Sequence, residues 1–195
     1  RSVISPPPPF PTNHNHPDLP AMSKLAENPT AIKAFAFDVD GVLSATTLRI
    51  GDDGQPVRTT NLRDGLALRA ALRGGMRICI ITGGTTEAVV RRYNLLGISD
   101  VFSGITCKLP VFRQWISDNG LLPEEVAYMG DDVPDLQCLR EAGLAAAPYD
   151  AAPEVLATAS FISRYSGGYG CVRDLIESVL RAQGRWDDVC RHFEL

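Results

Sequence analysis

The sequence predicts an α/β protein: a three-layer sandwich with a parallel sheet between two layers of helices. Three observations carry this. Short unbroken apolar runs recur along the chain, as in strands buried on both faces. Segments with apolar residues at helical spacing lie between them, so parallel strands are joined by crossover helices. The 195 residues, 45% hydrophobic and 22% charged, suit one globular domain of ordinary size.

Residues 1–30 are expected to be a disordered tail. Pro6, Pro7, Pro8, Pro9, Pro11, Pro17 and Pro20 favour extended, poorly packed chain. The stretch lacks the apolar centre of a secretory signal peptide, and Met22 stands within it as a candidate start. His14 and His16 suggest a metal pair, but a solvated tail explains them better. The domain is expected over 31–185, with 186–195 as a C-terminal tail.

The first strand is Ala34 to Phe37, running into Asp38. Residues 47–60 then read as two short extended pieces around Asp52-Asp53-Gly54. Asp-Gly is a strong hairpin signal, and turn chemistry accounts for both aspartates better than metal ligation. A helix follows, with Leu66, Leu68, Ala71 and Leu72 on one face. The second buried strand, Arg77 to Ile81, ends in Thr82-Gly83-Gly84. Its helix places Ala88, Val89, Leu95 and Leu96 inward. An apolar stretch over 101–105 leads to Lys108 and a helix with Val111, Phe112, Trp115 and Ile116 inward. Val126 to Met129 is the next strand, ending in Gly130-Asp131-Asp132. Pro134 opens a helix over 134–142, a first-turn position that tolerates proline. The last helix runs over 171–182, with Val172, Leu175, Ile176, Val179 and Leu180 inward.

Composition excludes several classes of function. A net charge of -4 and a pI of 5.4 argue against nucleic acid or an anionic membrane as partner. No apolar stretch is long enough to span a bilayer. The cysteines, Cys79, Cys107, Cys138, Cys171 and Cys190, are odd in number and form no C-x-x-C, which fits a reducing cytoplasm. The histidines, His14, His16 and His192, sit near the chain ends, which excludes serine–histidine and cysteine–histidine hydrolases.

The predicted strand ends converge. Ligands of an open parallel sheet bind at the carboxyl ends of its strands. Asp38, Asp40, Thr82, Asp131, Asp132 and Asp135 lie at or just past such ends, and Lys108 completes the set. Two like charges about 4 Å apart repel by roughly 4 kcal/mol at an effective dielectric near 20. Clustered carboxylates must therefore be protonated or share a cation. Oxygen ligands without histidine or paired cysteine favour a hard cation, and Mg²⁺ is the natural choice. Each element alone has a plainer reading: a D-x-D in a loop, Asp131 and Asp132 as helix caps, Lys108 as a surface lysine. All four in this order, each at a strand end, do not.

Asp38-Val39-Asp40-Gly41-Val42, Thr82-Gly83, Lys108 and Gly130-Asp131-Asp132-x-x-Asp135 resemble the four motifs of the haloacid dehalogenase superfamily. The hairpin, Asn61-Leu62-Arg63-Asp64-Gly65 and Gly167-Gly168-Tyr169-Gly170 are similar to its cap-less 3-deoxy-D-manno-octulosonate 8-phosphate phosphatases. The resemblance implies a Rossmann-like fold and a homotetramer in which a neighbouring subunit closes each active site. It implies Mg²⁺-dependent hydrolysis of a small acidic sugar phosphate, for lipopolysaccharide precursor biosynthesis, through an aspartyl-phosphate. On this resemblance Asp38 is the nucleophile. Asp40, its carboxyl kept protonated by nearby negative charge, is the acid/base. Thr82 and Lys108 bind the phosphoryl oxygens. Asp38, Asp40 and Asp131 are the metal residues, the Asp38-x-Asp40 loop adding the main-chain carbonyl of Val39, with Asp132 and Asp135 in support. Asp40, Asn61, Arg63, Asp64, Gly65, Arg69, Gly84, Arg92 and Lys108 line the substrate site. Arg69 and Arg92 read equally well as solvated helix arginines.

Two departures concern substrate. Gly84 stands where many members carry arginine, and Ser44-Ala45 where Thr-Asp is usual. The alternatives are a phosphatase of another nonulosonate 9-phosphate of the sialic acid type, a receiver-like phospho-acceptor, and an inactive interaction subunit. The order of motifs argues against the receiver, and the intact set against the inactive subunit.

Overall fold

The computed structural model describes residues 29–52 and 54–191. The tail expected at the N-terminus lies almost wholly outside these, as do His14, His16, Asp53 and His192. The strands are β1 (Ala34–Phe37), β2 (Arg49–Ile50), β3 (Pro56–Val57), β4 (Arg77–Ile81), β5 (Asp100–Phe102), β6 (Val126–Met129), β7 (Leu144–Ala147) and β8 (Phe161–Ile162). The helices are α1 (Leu62–Arg73), α2 (Glu87–Asn94), α3 (Lys108–Asp118), α4 (Leu136–Glu141), α5 (Pro153–Thr158), α6 (Cys171–Ala182) and α7 (Trp186–Arg191).

Six strands form one sheet in the order β5-β4-β1-β6-β7-β8, every neighbouring pair parallel. The architecture is the expected three-layer α/β sandwich of Rossmann type. The period of two along β1 sorts its side chains by size. Phe35 and Phe37 join Ile78, Ile80 and Met129 in the core under α1, α6 and α7. Ala34 and Ala36 face the other layer, where their small size admits Phe112 and Trp115 of α3. All five apolar residues expected inward on α6 are fully buried there. Their burial is worth on the order of 10 kcal/mol of gross transfer free energy.

The chain leaves β1 toward β4 and β5, then returns to the other side of β1 as β6. This reversal opens a crevice at the carboxyl ends of β1 and β6, the usual ligand position in such sheets. Phe37 pairs in register with both Ile80 and Met129, so β1 and β6 end level and β4 runs one residue further, to Ile81. The residues after them therefore meet within one residue of the same height.

The antiparallel β2-β3 hairpin follows β1, as the Asp-Gly signal predicts, with Gly54 at φ 77 in its turn. Several expectations need correction. Leu66 and Leu95 are exposed, and α1 packs instead through Ala67, Leu68, Ala70 and Ala71. Residues 134–142 divide into a 3-10 turn, Val133–Asp135, and α4. The tail expected from 186 is helical over Trp186–Arg191. Trp186 and Val189 are three residues apart, share a face and are buried, with Val189 against Gly74 at the end of α1. No helix among the described residues is long and apolar enough to cross a membrane.

Candidate active site

Asp38 directly follows β1, and its N–H donates to the Met129 carbonyl of β6 at 3.0 Å. The loop after β1 is thereby tied to β6. Beyond it the loop turns sharply at Gly41, with φ 87. A Cβ there would lie 1.9 Å from Asp131 Oδ2, so only glycine lets the Asp131 carboxylate close on the loop. The Gly-rich turn before α6 packs on the loop from behind. A Cβ on Gly167 would lie 1.9 Å from the Gly41 carbonyl oxygen, and Gly168 N–H donates to the Val42 carbonyl at 2.8 Å. That motif serves as the back wall of the Asp38 loop.

Asp38, Asp131 and Asp135 bring one carboxylate oxygen each within 4.8 Å of one another. Lys108, at the start of α3, is buried with its Nζ 2.9 Å from Asp38 Oδ1 and 2.7 Å from Asp135 Oδ1. Burial pushes the Asp38 carboxyl up to about 7. The Asp135 charge adds to the rise, and Lys108 opposes it. Burial likewise pushes Asp131 up to about 7, reinforced by Asp38 and Asp135. Burial alone would lower the Lys108 ammonium, but the two carboxylates beside it hold it above its ordinary value.

Three carboxylates and one ammonium leave two negative charges, the complement of a divalent cation. The donor set fits Mg²⁺, because every side-chain donor is oxygen. Asp135 is not free to bind directly. Its Oδ1 accepts from Lys108 and from Tyr128 Oη at 2.7 Å, and its Oδ2 from Asp131 N–H at 3.2 Å. It organises the loop that presents Asp131. Asp132 is exposed and caps the 3-10 turn through Val133 N–H. The Val39 carbonyl, expected as a metal ligand, already accepts from Val42 and Ser44 N–H, at 3.2 and 2.8 Å. Both lone pairs are engaged, so this expectation is corrected.

Thr82 is buried at the end of β4. Its Oγ1 accepts from Gly84 N–H at 3.1 Å, which leaves the hydroxyl proton to be donated elsewhere. Asp40 differs from expectation. Arg58 holds it instead in a bidentate pair, Nε to Oδ1 and Nη2 to Oδ2, both 2.7 Å. Sequence reasoning missed Arg58 and the Tyr128 hydroxyl. Arg58 is the basic residue just past β3, and only the return of the hairpin over the loop makes it visible.

The expected substrate residues divide. Gly65 and Arg92 come together: a Cβ on Gly65 would lie 3.2 Å from Arg92 Nη2. The buried Arg92 Nε has no partner. Arg69 is exposed on α1. Arg63 lines a separate cavity of about 400 Å³ with Arg164, Tyr169 and Arg173. Asn61 caps α1, accepting from Arg63 and Asp64 N–H, and its amide donates to the Gly168 carbonyl at 3.3 Å. Ser44 is buried against Thr59, its Oγ accepting Thr59 N–H at 3.0 Å.

Asp64 is 2% exposed and accepts Arg173 N–H at 2.8 Å, so it caps α6 and does not face substrate. Its Oδ2 has no partner, and burial pushes the carboxyl up to about 6. The folded group therefore titrates above its unfolded value of 3.8. Its favourable contribution is full below pH 3.8 and is lost as pH rises through about 6. Asp64→Asn keeps the acceptor and removes the buried charge. Urea unfolding should find the variant more stable than the parent by roughly 1–3 kcal/mol at pH 8 and equal at pH 3.5. A variant less stable at pH 8 would show that the charge is compensated.

No family model matches the chain. The 3-deoxy-D-manno-octulosonate 8-phosphate phosphatase KdsC of Escherichia coli K12 is 37% identical over 163 residues, covering 84% of this chain and 85% of that protein. Among solved structures, the phosphatase of that name from Moraxella catarrhalis, in complex with a magnesium ion, a phosphate ion and KDO, is 34% identical. It superposes with a TM-score of 0.80 and covers 85% of this chain and 95% of that one. A proposed haloacid dehalogenase superfamily hydrolase, subfamily III A, from Legionella pneumophila superposes with a TM-score of 0.83 at 33% identity, over 87% of this chain and 93% of that one.

Proposed function

Because the chain belongs to the 3-deoxy-D-manno-octulosonate 8-phosphate phosphatase family of the haloacid dehalogenase superfamily, we propose that it hydrolyses that sugar phosphate through a covalent phosphoryl-Asp38 intermediate. The product serves lipopolysaccharide precursor synthesis. The observation that carries the reading is the buried Asp38 between Lys108 and Asp131 at the mouth of the sheet crevice.

Asp38 attacks phosphorus with one carboxylate oxygen, and the bond from phosphorus to the sugar oxygen breaks. The leaving oxygen takes a proton from Asp40. Water then attacks the phosphorus of phospho-Asp38, gives its proton to Asp40 and releases phosphate with Asp38 restored. Thr82 donates its hydroxyl proton to a phosphoryl oxygen, and Lys108 balances the phosphoryl charge. Asp38, Asp131 and the Asp40 main-chain carbonyl would hold Mg²⁺. When bound, Mg²⁺ supplies charge neutralisation that lets an anionic carboxylate approach an anionic phosphate. Gly65 and Arg92 lie toward the sugar.

The test is a turnover screen with 3-deoxy-D-manno-octulosonate 8-phosphate, a sialic-type nonulosonate 9-phosphate and simple hexose phosphates. The eight-carbon acid should give the highest kcat/KM. A clear preference for the nine-carbon acid would reassign the substrate and leave the chemistry standing.

Only a hairpin separates β1 from α1, so this chain carries no cap domain there. We place the protein as a homotetramer in which a neighbour closes the crevice. Ile50 and Val57 on the hairpin, 68% and 54% exposed, support this. Gel filtration should give an oligomer; a fully active monomer would remove the role of the neighbour. A cytoplasmic location is supported by five unpaired cysteines, and a disulfide recovered from cells would contradict it.

A further inference from the structure

Among the described residues, the arginine that pairs with Asp40 is Arg58, just past the hairpin, and its path into the crevice is built by Gly84. A Cβ on Gly84 would lie 2.5 Å from Arg58 Nη2 and 3.1 Å from its Cζ. The guanidinium therefore occupies the space that any other residue at 84 would fill. It is locked there by all three of its nitrogens. Nε and Nη2 hold the two Asp40 oxygens, and Nη1 donates to Thr86 Oγ1 at 2.6 Å, just before α2.

Its backbone is fixed as well. The next residue, Thr59, donates its N–H to Ser44 Oγ, and its hydroxyl accepts from Ala45 N–H at 3.2 Å. Ser44 in turn bridges to Asp40 through the backbone. Both members of the ion pair are thus anchored to the same short loop. The Arg58 side chain is only 11% exposed, whereas that of Asp40 is 39% exposed. A half-open carboxylate on a loop has many rotamers. A planar guanidinium with bidentate geometry selects one.

We infer that Arg58, seated over Gly84, is a positioning residue that aims the Asp40 carboxyl at the leaving oxygen. Ser44-Ala45 and Gly84 acquire a shared purpose: the first pair clips the hairpin down, and the glycine clears the way. This rests on the reading of Asp40 as the acid/base. It goes beyond it by assigning the group that orients Asp40.

The experiment compares two leaving groups. A sugar alkoxide needs a proton as it departs; p-nitrophenolate does not. The quantity is kcat/KM, which covers only the steps up to the first irreversible one. Arg58→Ala should lower kcat/KM on the sugar phosphate by roughly 10²-fold and on p-nitrophenyl phosphate by less than about 3-fold. Arg58→Lys, which keeps the charge without the bidentate fork, should recover only a small part of the loss.

Gly84→Ala supplies the second arm. The atom its Cβ meets is the tip of a flexible side chain, so the guanidinium moves and the fold stays. It should reproduce the Arg58→Ala pattern, with an unchanged circular dichroism spectrum. The double variant should equal Arg58→Ala alone, because the two act through one contact. Equal losses on both substrates, or a Gly84→Ala loss that adds in full to that of Arg58→Ala, would overturn the proposal. If the parent enzyme turns over the sugar phosphate and Asp38→Asn does not, a silent Arg58→Ala sinks this inference alone. A parent enzyme inert on every sugar phosphate sinks the proposed function instead.

Discussion

Asp38→Asn should abolish turnover, with kcat falling by roughly 10⁴-fold or more. The amide has nearly the same shape but cannot form the phosphoryl ester at a useful rate. The fold should survive. Lys108 keeps Asp135 at 2.7 Å as its second partner, and the variant removes a buried charge that repels Asp131 and Asp135. Chemical denaturation should therefore give a stability equal to or above that of the parent. A stable Asp38→Asn variant with normal turnover would remove the nucleophile from the mechanism.

Removing divalent cations should lower turnover by roughly 10³-fold or more, and Mg²⁺ should restore it. The reason lies in the charge count. Asp38, Asp131 and Asp135 crowd within 4.8 Å, and Lys108 offsets only one of them. Burial and mutual repulsion lift Asp38 and Asp131 to about 7, so near neutral pH each is only partly ionised without further positive charge. A divalent cation makes both fully ionised, and Asp38 must be ionised to attack. The same linkage gives a readout independent of activity. At about 100 times its Kd, Mg²⁺ should stabilise the fold by about 2.7 kcal/mol, seen as a rise in Tm. Asp131→Asn should lose most of that rise. Full activity after exhaustive chelation, with no effect of Mg²⁺ on Tm, would contradict the site.

Much of this was legible in the residues because a strand buried on both faces leaves a distinctive trace. Ala34–Phe37, residues 78–81 and Val126–Met129 are short apolar runs, and each gives way within two residues to a polar one. Their convergence follows from parallel topology, which brings Asp38, Thr82 and Asp131 together. Lys108 followed from order along the chain. Leu144–Ala147 was not legible, because three alanines carry no strand signal; burial in the sheet decides its state. Helix α7 was hidden in a charged segment whose two buried residues, Trp186 and Val189, are too few to show a period.

The harder failures concern partners distant in sequence. Arg58 lies 18 residues from Asp40, and nothing in the hairpin sequence says that it folds back over the loop. The roles of Val39 and Asp64 depend on backbone groups that side-chain patterns do not reveal. Val39 spends its carbonyl on the turn, and Asp64 spends a carboxylate oxygen on the start of α6. In each case the residue type was compatible with ligand binding, and local hydrogen bonding had already claimed it.

The most direct test of the account is to find where the phosphoryl group goes. Rapid quenching of the enzyme during turnover of labelled sugar phosphate, followed by proteolysis and mass spectrometry, should recover the label as an acyl phosphate on the peptide containing Asp38. Borohydride reduction should convert that residue, and no other aspartate, to homoserine. Label on a different residue, or direct transfer to water with no labelled peptide under conditions that trap acyl phosphates, would contradict the assignment of Asp38 as the nucleophile.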